Sequence, residues 1–226
     1  MFCVLNYFLL YALYCKINLK RIIKVLLFVI GLLYLFGVAG DLRSKAQTGD
    51  NDFSISNIMN STQASLEFQN NTYLSPLYWA YLYLSSPVAN FQNTVDLNYT
   101  HSEIDGSLKF IVYEILPDIA GKRIATLGGY DEEYSPLSRV VDFLTVGTIF
   151  ADSFIFIGWY GPLILSLLLL LTPIVFLSIC PKNKMYYVQL SICTIILVLC
   201  TFSNMLVYST LSLQLFYPLV FRKYRV

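Results

Sequence analysis

Outside residues 41–152 this chain has no acidic side chain, although its 226 residues include 14 Asp and Glu. The same outer stretches hold nine Lys and Arg: Lys16, Lys20, Arg21, Lys24, Lys182, Lys184, Arg222, Lys223 and Arg225. Charge is scarce altogether, at 13% of residues against about a quarter in soluble domains, which argues against an ordinary water-soluble globule. Histidine is reduced to His101, and a lone loop histidine is more often solvated than catalytic. The five cysteines (Cys3, Cys15, Cys180, Cys193 and Cys200) lie in or beside apolar stretches. None falls in the polar middle and no CxxC spacing occurs, which excludes a disulfide framework and a cysteine zinc site. A P-loop, a dinucleotide fingerprint, an HExxH helix and a GxSxG elbow are all missing, so nothing supports a nucleotide-driven enzyme or a hydrolase of those kinds. Gly128-Gly129 is a turn signal and no more.

What the chain has in abundance is apolar surface: 57% of residues, with a mean hydropathy of +0.62. Apolar stretches over about 2–15, 22–40, 154–180, 187–203 and 209–221 predict five membrane segments. The expected fold is therefore an all-α, polytopic integral membrane protein forming a single membrane domain. Lys and Arg in short acid-free connections are retained inside during insertion, which places both ends in the cytoplasm. Residues 41–153 then form one large external loop. The first stretch is short and has no charged region before it, so it reads as a trimmed span rather than a signal core. Two spans after 187, with a turn near Ser203-Asn204, return the basic tail to the inside. Within the loop, Pro76 and Pro87 limit 73–91 to a short interfacial or re-entrant helix rich in Tyr and Trp. The apolar spacing of 107–120 predicts an amphipathic surface helix.

The loop also keeps six cations outside: Arg43, Lys45, Lys109, Lys122, Arg123 and Arg139. They either balance the loop's acids in solvent or bind phosphate. Arginine presents a planar fork that matches phosphate oxygens. Arg43 and Arg139 sit near predicted span boundaries, the depth at which the diphosphate of a lipid carrier would arrive. Lys122 and Arg123 are candidates for the same anion.

Three stretches resemble the C-terminal half of the oligosaccharide repeat-unit polymerases, the Wzy-type O-antigen and capsule polymerases. The first is Phe36-Gly37-Val38-Ala39-Gly40-Asp41-Leu42-Arg43-Ser44 and the second Tyr83-Leu84-Ser85-Ser86-Pro87-Val88-Ala89-Asn90-Phe91-Gln92. The third runs from Thr145 to Gly161, and Phe202-Ser203-Asn204 follows near the end. The resemblance implies a multi-span glycosyltransferase of the bacterial cytoplasmic membrane. It would polymerise oligosaccharide repeat units carried on a polyprenyl diphosphate, with no nucleotide, metal or other cofactor. Arg43 would hold the departing diphosphate, and Asp152 or Asp142 would accept the acceptor hydroxyl's proton. Asn90 would bond sugar hydroxyls. Family members have ten or more spans, so the resemblance implies either a truncated, inactive fragment or one half of a split, two-chain enzyme; a missing N-terminal half or a chain-length regulator is the expected protein partner, and no nucleic acid is.

Two other classes fit parts of the pattern. Sequons at Asn60, Asn70 and Asn98 suit a non-enzymatic membrane glycoprotein or interaction protein. Pro173, inside an apolar stretch, is the one feature that suits a transporter component.

Overall fold

The computed structural model describes residues 9–10, 19–48, 59, 62–71, 73–97, 103–129, 137–140 and 144–221. Among them all regular structure is helical, with no strand. Most of the 2–15 stretch, His101, Asp142, the sequon residues Asn60 and Asn98 and the basic tail lie outside the described residues. The described residues gather into two compact units, Ile17–Ser86 and Pro87–Val226 with Met1–Lys16.

In the first unit, helix α1 (Leu19–Thr48) contains Ile23–Gly40, which is long and apolar enough to cross a membrane. Its Leu, Ile and Phe side chains are largely exposed, as expected of a helix whose solvent is hydrocarbon rather than a protein core. A short helix α2 (Leu66–Asn70) precedes α3 (Ser75–Asp96). Gly37 of α1 lies so close to the Pro76 carbonyl that a Cβ there would collide with backbone. Around this approach Phe36 meets Tyr83 edge-on at 5.5 Å, and Tyr83 stacks with Trp79 at 6.3 Å.

Helix α3 runs unbroken through Pro87, where a short interrupted helix was expected. Pro76 is its second residue, where a missing N–H costs nothing. Pro87 forfeits only the bond to the Tyr83 carbonyl, and its burial offsets that loss.

In the second unit, α4 (Glu103–Phe110) continues as a π-helical turn, Ile111–Ile115. Leu116-Pro117 turns the chain into α5 (Asp118–Gly128), which Gly129 ends in the left-handed region at φ 64°. The single amphipathic helix expected over 107–120 is thus divided in three. The divider is Pro117, which cannot continue a hydrogen-bonded turn.

Helix α6 (Ile149–Ile157) starts on Thr148, whose hydroxyl accepts the Phe150 amide at 3.2 Å. Gly158, at φ 61° and ψ −147°, then reverses the chain into α7 (Tyr160–Ile179), a second helix of membrane-crossing length. The expected apolar segment 154–180 is therefore two helices, folded against each other where Gly161 meets the Ser153 carbonyl. Helix α8 (Lys184–Leu199) is capped by Asn183, whose side-chain Oδ1 accepts the Met185 amide at 2.8 Å. The last stretch is three short turns, α9 (Ser209–Ser212), a 3-10 turn (Leu213–Phe216) and α10 (Tyr217–Val220). The core joins α4, α6, α7, α8 and the final turns through Phe110, Phe156, Leu165, Ile192, Ile196 and Leu215.

The Gly158 conformation is one that essentially only glycine adopts, so Gly158→Ala should cost about 1–3 kcal/mol. Gly161→Ala should cost more, because the atoms it meets belong to backbone that cannot swing aside. Unfolding of each variant in detergent micelles checks the order. Equal stability of wild type and Gly161→Ala would show that α6 does not fold back on α7.

Candidate functional site

One cavity of about 330 Å³ opens in the second unit, between the π-helical turn, the start of α5, α6 and the 203–208 loop. Its charged and amide side chains are Glu114, Asp118, Lys122, Asp152 and Asn204, and Ser203, Tyr113 and Tyr208 add hydroxyls. Each is placed by a local feature. The π-helical turn carries Glu114; such turns add a residue to a helix and are frequent at functional positions. Gly121 lets α5 approach the Val112 carbonyl more closely than any Cβ would permit, bringing Lys122 to the cavity. Asp152 stands in the first turn of α6, where a carboxylate suits the helix dipole.

The 203–208 loop is tied down by a polar lattice. Asn204 Nδ2 donates both to the Glu114 carboxyl at 2.8 Å and to the Glu114 carbonyl at 2.9 Å. The Asp118 amide donates to the Val207 carbonyl at 2.8 Å. Asp118 Oδ1 accepts the Ser209 amide at 3.0 Å and the Ser209 hydroxyl. Those two donors hold the Asp118 carboxyl below its ordinary range.

The other two carboxyls move the opposite way. Burial, and then the charge of Asp152, push Glu114 up to about 8 despite the opposing bond from Asn204. Burial alone pushes Asp152 up to about 6. Near neutral pH the pair therefore offers one protonated carboxyl, Glu114, beside one mostly ionised carboxylate, Asp152. Two acids with separated titrations are the arrangement that acid–base chemistry requires.

The residues singled out from sequence are distributed as follows. Asp152 and Lys122 line the cavity; Arg123, exposed on α5, does not. Arg139 is exposed in the extended 137–139 segment. Arg43 belongs to α1 in the other unit, and its side chain is outside the described residues.

Asn90, expected to bond sugar hydroxyls, is fully buried. Its amide nitrogen donates to the Leu144 and Val146 carbonyls at 2.7 and 2.9 Å, and its oxygen accepts the Val140 amide at 2.9 Å. Both N–H donors are spent on backbone, so Asn90 holds the segment leading into α6, and it does not line the cavity.

Glu114 was missed, and its signal was an acid alone in the apolar run Phe110–Leu116. Among the described residues no group of three or more His, Cys, Asp or Glu is placed to hold a metal ion.

The chain matches no protein-family model, no curated protein and no solved structure. Function must be argued from the residues themselves.

Proposed function

We propose that this chain serves the polymerisation of lipid-diphosphate-linked oligosaccharide repeat units in bacterial surface polysaccharide assembly. It would lie in the cytoplasmic membrane with about five membrane segments, both ends inside and residues 41–153 outside. Two apolar helices of membrane-crossing length support the membrane setting.

One observation supports the reading: the later part of the second resembling stretch, the third, and Phe202-Ser203-Asn204, far apart in sequence, belong to one unit. Asn90 of the second stretch bonds Leu144 and Val146, at the start of the third. The third supplies Asp152, and Phe202-Ser203-Asn204 supplies Asn204, to one cavity.

In this reaction the acceptor hydroxyl attacks the donor's anomeric carbon. The bond from that carbon to the phosphate oxygen breaks, and the lipid diphosphate departs with the electron pair. The Asp152 carboxylate takes the hydroxyl proton, and its raised pKa makes it a stronger base than an exposed aspartate. For the diphosphate, the resemblance points to Arg43, within the first resembling stretch.

Deleting the coding region in its bacterial host tests this. Surface polysaccharide, resolved by gel electrophoresis, should collapse from a ladder to single repeat units and recover on complementation. An unchanged ladder would overturn the proposal and favour a membrane interaction protein.

A further inference from the structure

We propose that the cavity beside Asp152 receives a single sugar ring, the hydroxyl-bearing acceptor end of the substrate, and not its diphosphate. The assignment rests on the polysaccharide reading above and adds which part of the substrate occupies which site.

Charge is the first argument. Apart from tyrosines, the ionisable groups lining the cavity are three carboxyls, Glu114, Asp118 and Asp152, and one ammonium, Lys122. A diphosphate would bring further negative charge against ionised Asp118 and Asp152, with one exposed lysine to offset it. A neutral sugar meets no such repulsion.

Hydrogen bonding is the second argument. Sugar hydroxyls both donate and accept, and so require both kinds of partner side by side. Asp152 accepts. A protonated Glu114 donates, its other oxygen being held by Asn204. Lys122 donates from α5.

Size and wall chemistry agree. At about 330 Å³ the cavity lies at the small end of the roughly 300–1,000 Å³ range of ligand sites, room for one ring rather than an oligosaccharide. Tyr113, stacked on Phe156 at 6.2 Å, and exposed Tyr208 give aromatic surface against which a sugar's C–H face packs. The cavity also contains the carboxylate proposed as base, so the ring it holds is the one whose hydroxyl reacts.

The test uses the full chain in lipid nanodiscs at pH 7, with free monosaccharides as probes. Glucose, galactose and their N-acetylated 2-amino forms are each followed by saturation-transfer NMR, with inorganic pyrophosphate as competitor. At least one sugar should bind with a Kd of about 1–10 mM, and equimolar pyrophosphate should leave it bound. Asp152→Asn should weaken that sugar by about tenfold or more, whereas Glu114→Gln, which still donates and keeps its bond from Asn204, should bind it nearly as wild type does.

Glu114→Gln keeps an oxygen for Asn204, and retained helix content by circular dichroism separates lost binding from lost folding. Should an aspartate variant unfold, the pyrophosphate competition on wild type still decides. The inference is overturned if no sugar binds, if pyrophosphate displaces it, or if Asp152→Asn binds as wild type does. Sugar binding with an unchanged ladder on gene deletion would sink the polymerase reading alone. A lost ladder without sugar binding would sink this inference alone.

Discussion

Asp152→Asn should reduce polymer formation by about 10²–10⁴-fold, the range for losing a positioned general base. The amide is nearly isosteric and keeps a hydrogen-bonding oxygen at the start of α6, so the helix and its Thr148 cap should survive. What it loses is the capacity to take a proton from the acceptor hydroxyl. The pH profile separates this role from a structural one. Wild-type activity should climb with pH as Asp152 ionises near 6 and then level off. Residual activity of Asp152→Asn should lack that rise. The measurement is the length distribution of polymer made by membranes from a deletion strain complemented with each variant. Full-length ladders from Asp152→Asn would remove Asp152 from the chemistry. Activity that rises as pH falls below 6 would contradict its role as base.

Glu114→Gln should make the protein more stable at alkaline pH, which is the reverse of the usual result for a buried polar substitution. The folded protein keeps a proton on Glu114 up to about pH 8, whereas an unfolded glutamate loses it near 4.5. Over that interval the folded state binds the extra proton, so wild-type stability falls as pH rises from about 4.5 to about 8 and is level above. Each unit of displacement corresponds to about 1.4 kcal/mol.

At pH 9 the charged side chain stands buried with one amide donor, and the neutral glutamine avoids that cost while still accepting from Asn204. The variant should therefore exceed wild type by a few kcal/mol at pH 9, roughly 1.4 per unit of displacement, and match it at pH 4. Asp152→Asn should flatten the wild-type slope further, because its charge contributes to the rise of Glu114. Unfolding by denaturant in nanodiscs at several pH values provides the curves. A wild type whose stability is flat between pH 5 and 8 would show that Glu114 is solvated rather than buried.

Several features of the fold were legible because they depend on composition or local chemistry. The apolar stretches 22–40 and 154–180 each contain a helix of membrane-crossing length, since twenty apolar residues in a row have few other solutions. Asp152 was legible only through the resembling stretch 145–161, and the fold places it in the cavity lining. Other features were not. Pro87 argued for a break, yet α3 continues through it, because one lost hydrogen bond is small beside the packing around a buried proline. Gly158 lies in a run that reads as one span, and only the approach of Gly161 to Ser153 reveals the reversal. Asn90 looked like a sugar ligand, but its two N–H donors go to the Leu144 and Val146 carbonyls and its oxygen accepts the Val140 amide.

The sequence by itself determined what solvents this chain requires. Acids confined to 41–152, basic clusters on either side and long apolar runs follow from transfer free energies, which sum residue by residue and need no knowledge of contacts. Tertiary structure alone decided which polar groups meet. Glu114 and Asn204 are ninety residues apart, and their bond depends on a π-helical turn, a glycine at 121 and a clip between Asp118 and Ser209. Whether a carboxyl titrates near 4 or near 8 depends on the water excluded from it and the charges beside it, and both are properties of packing.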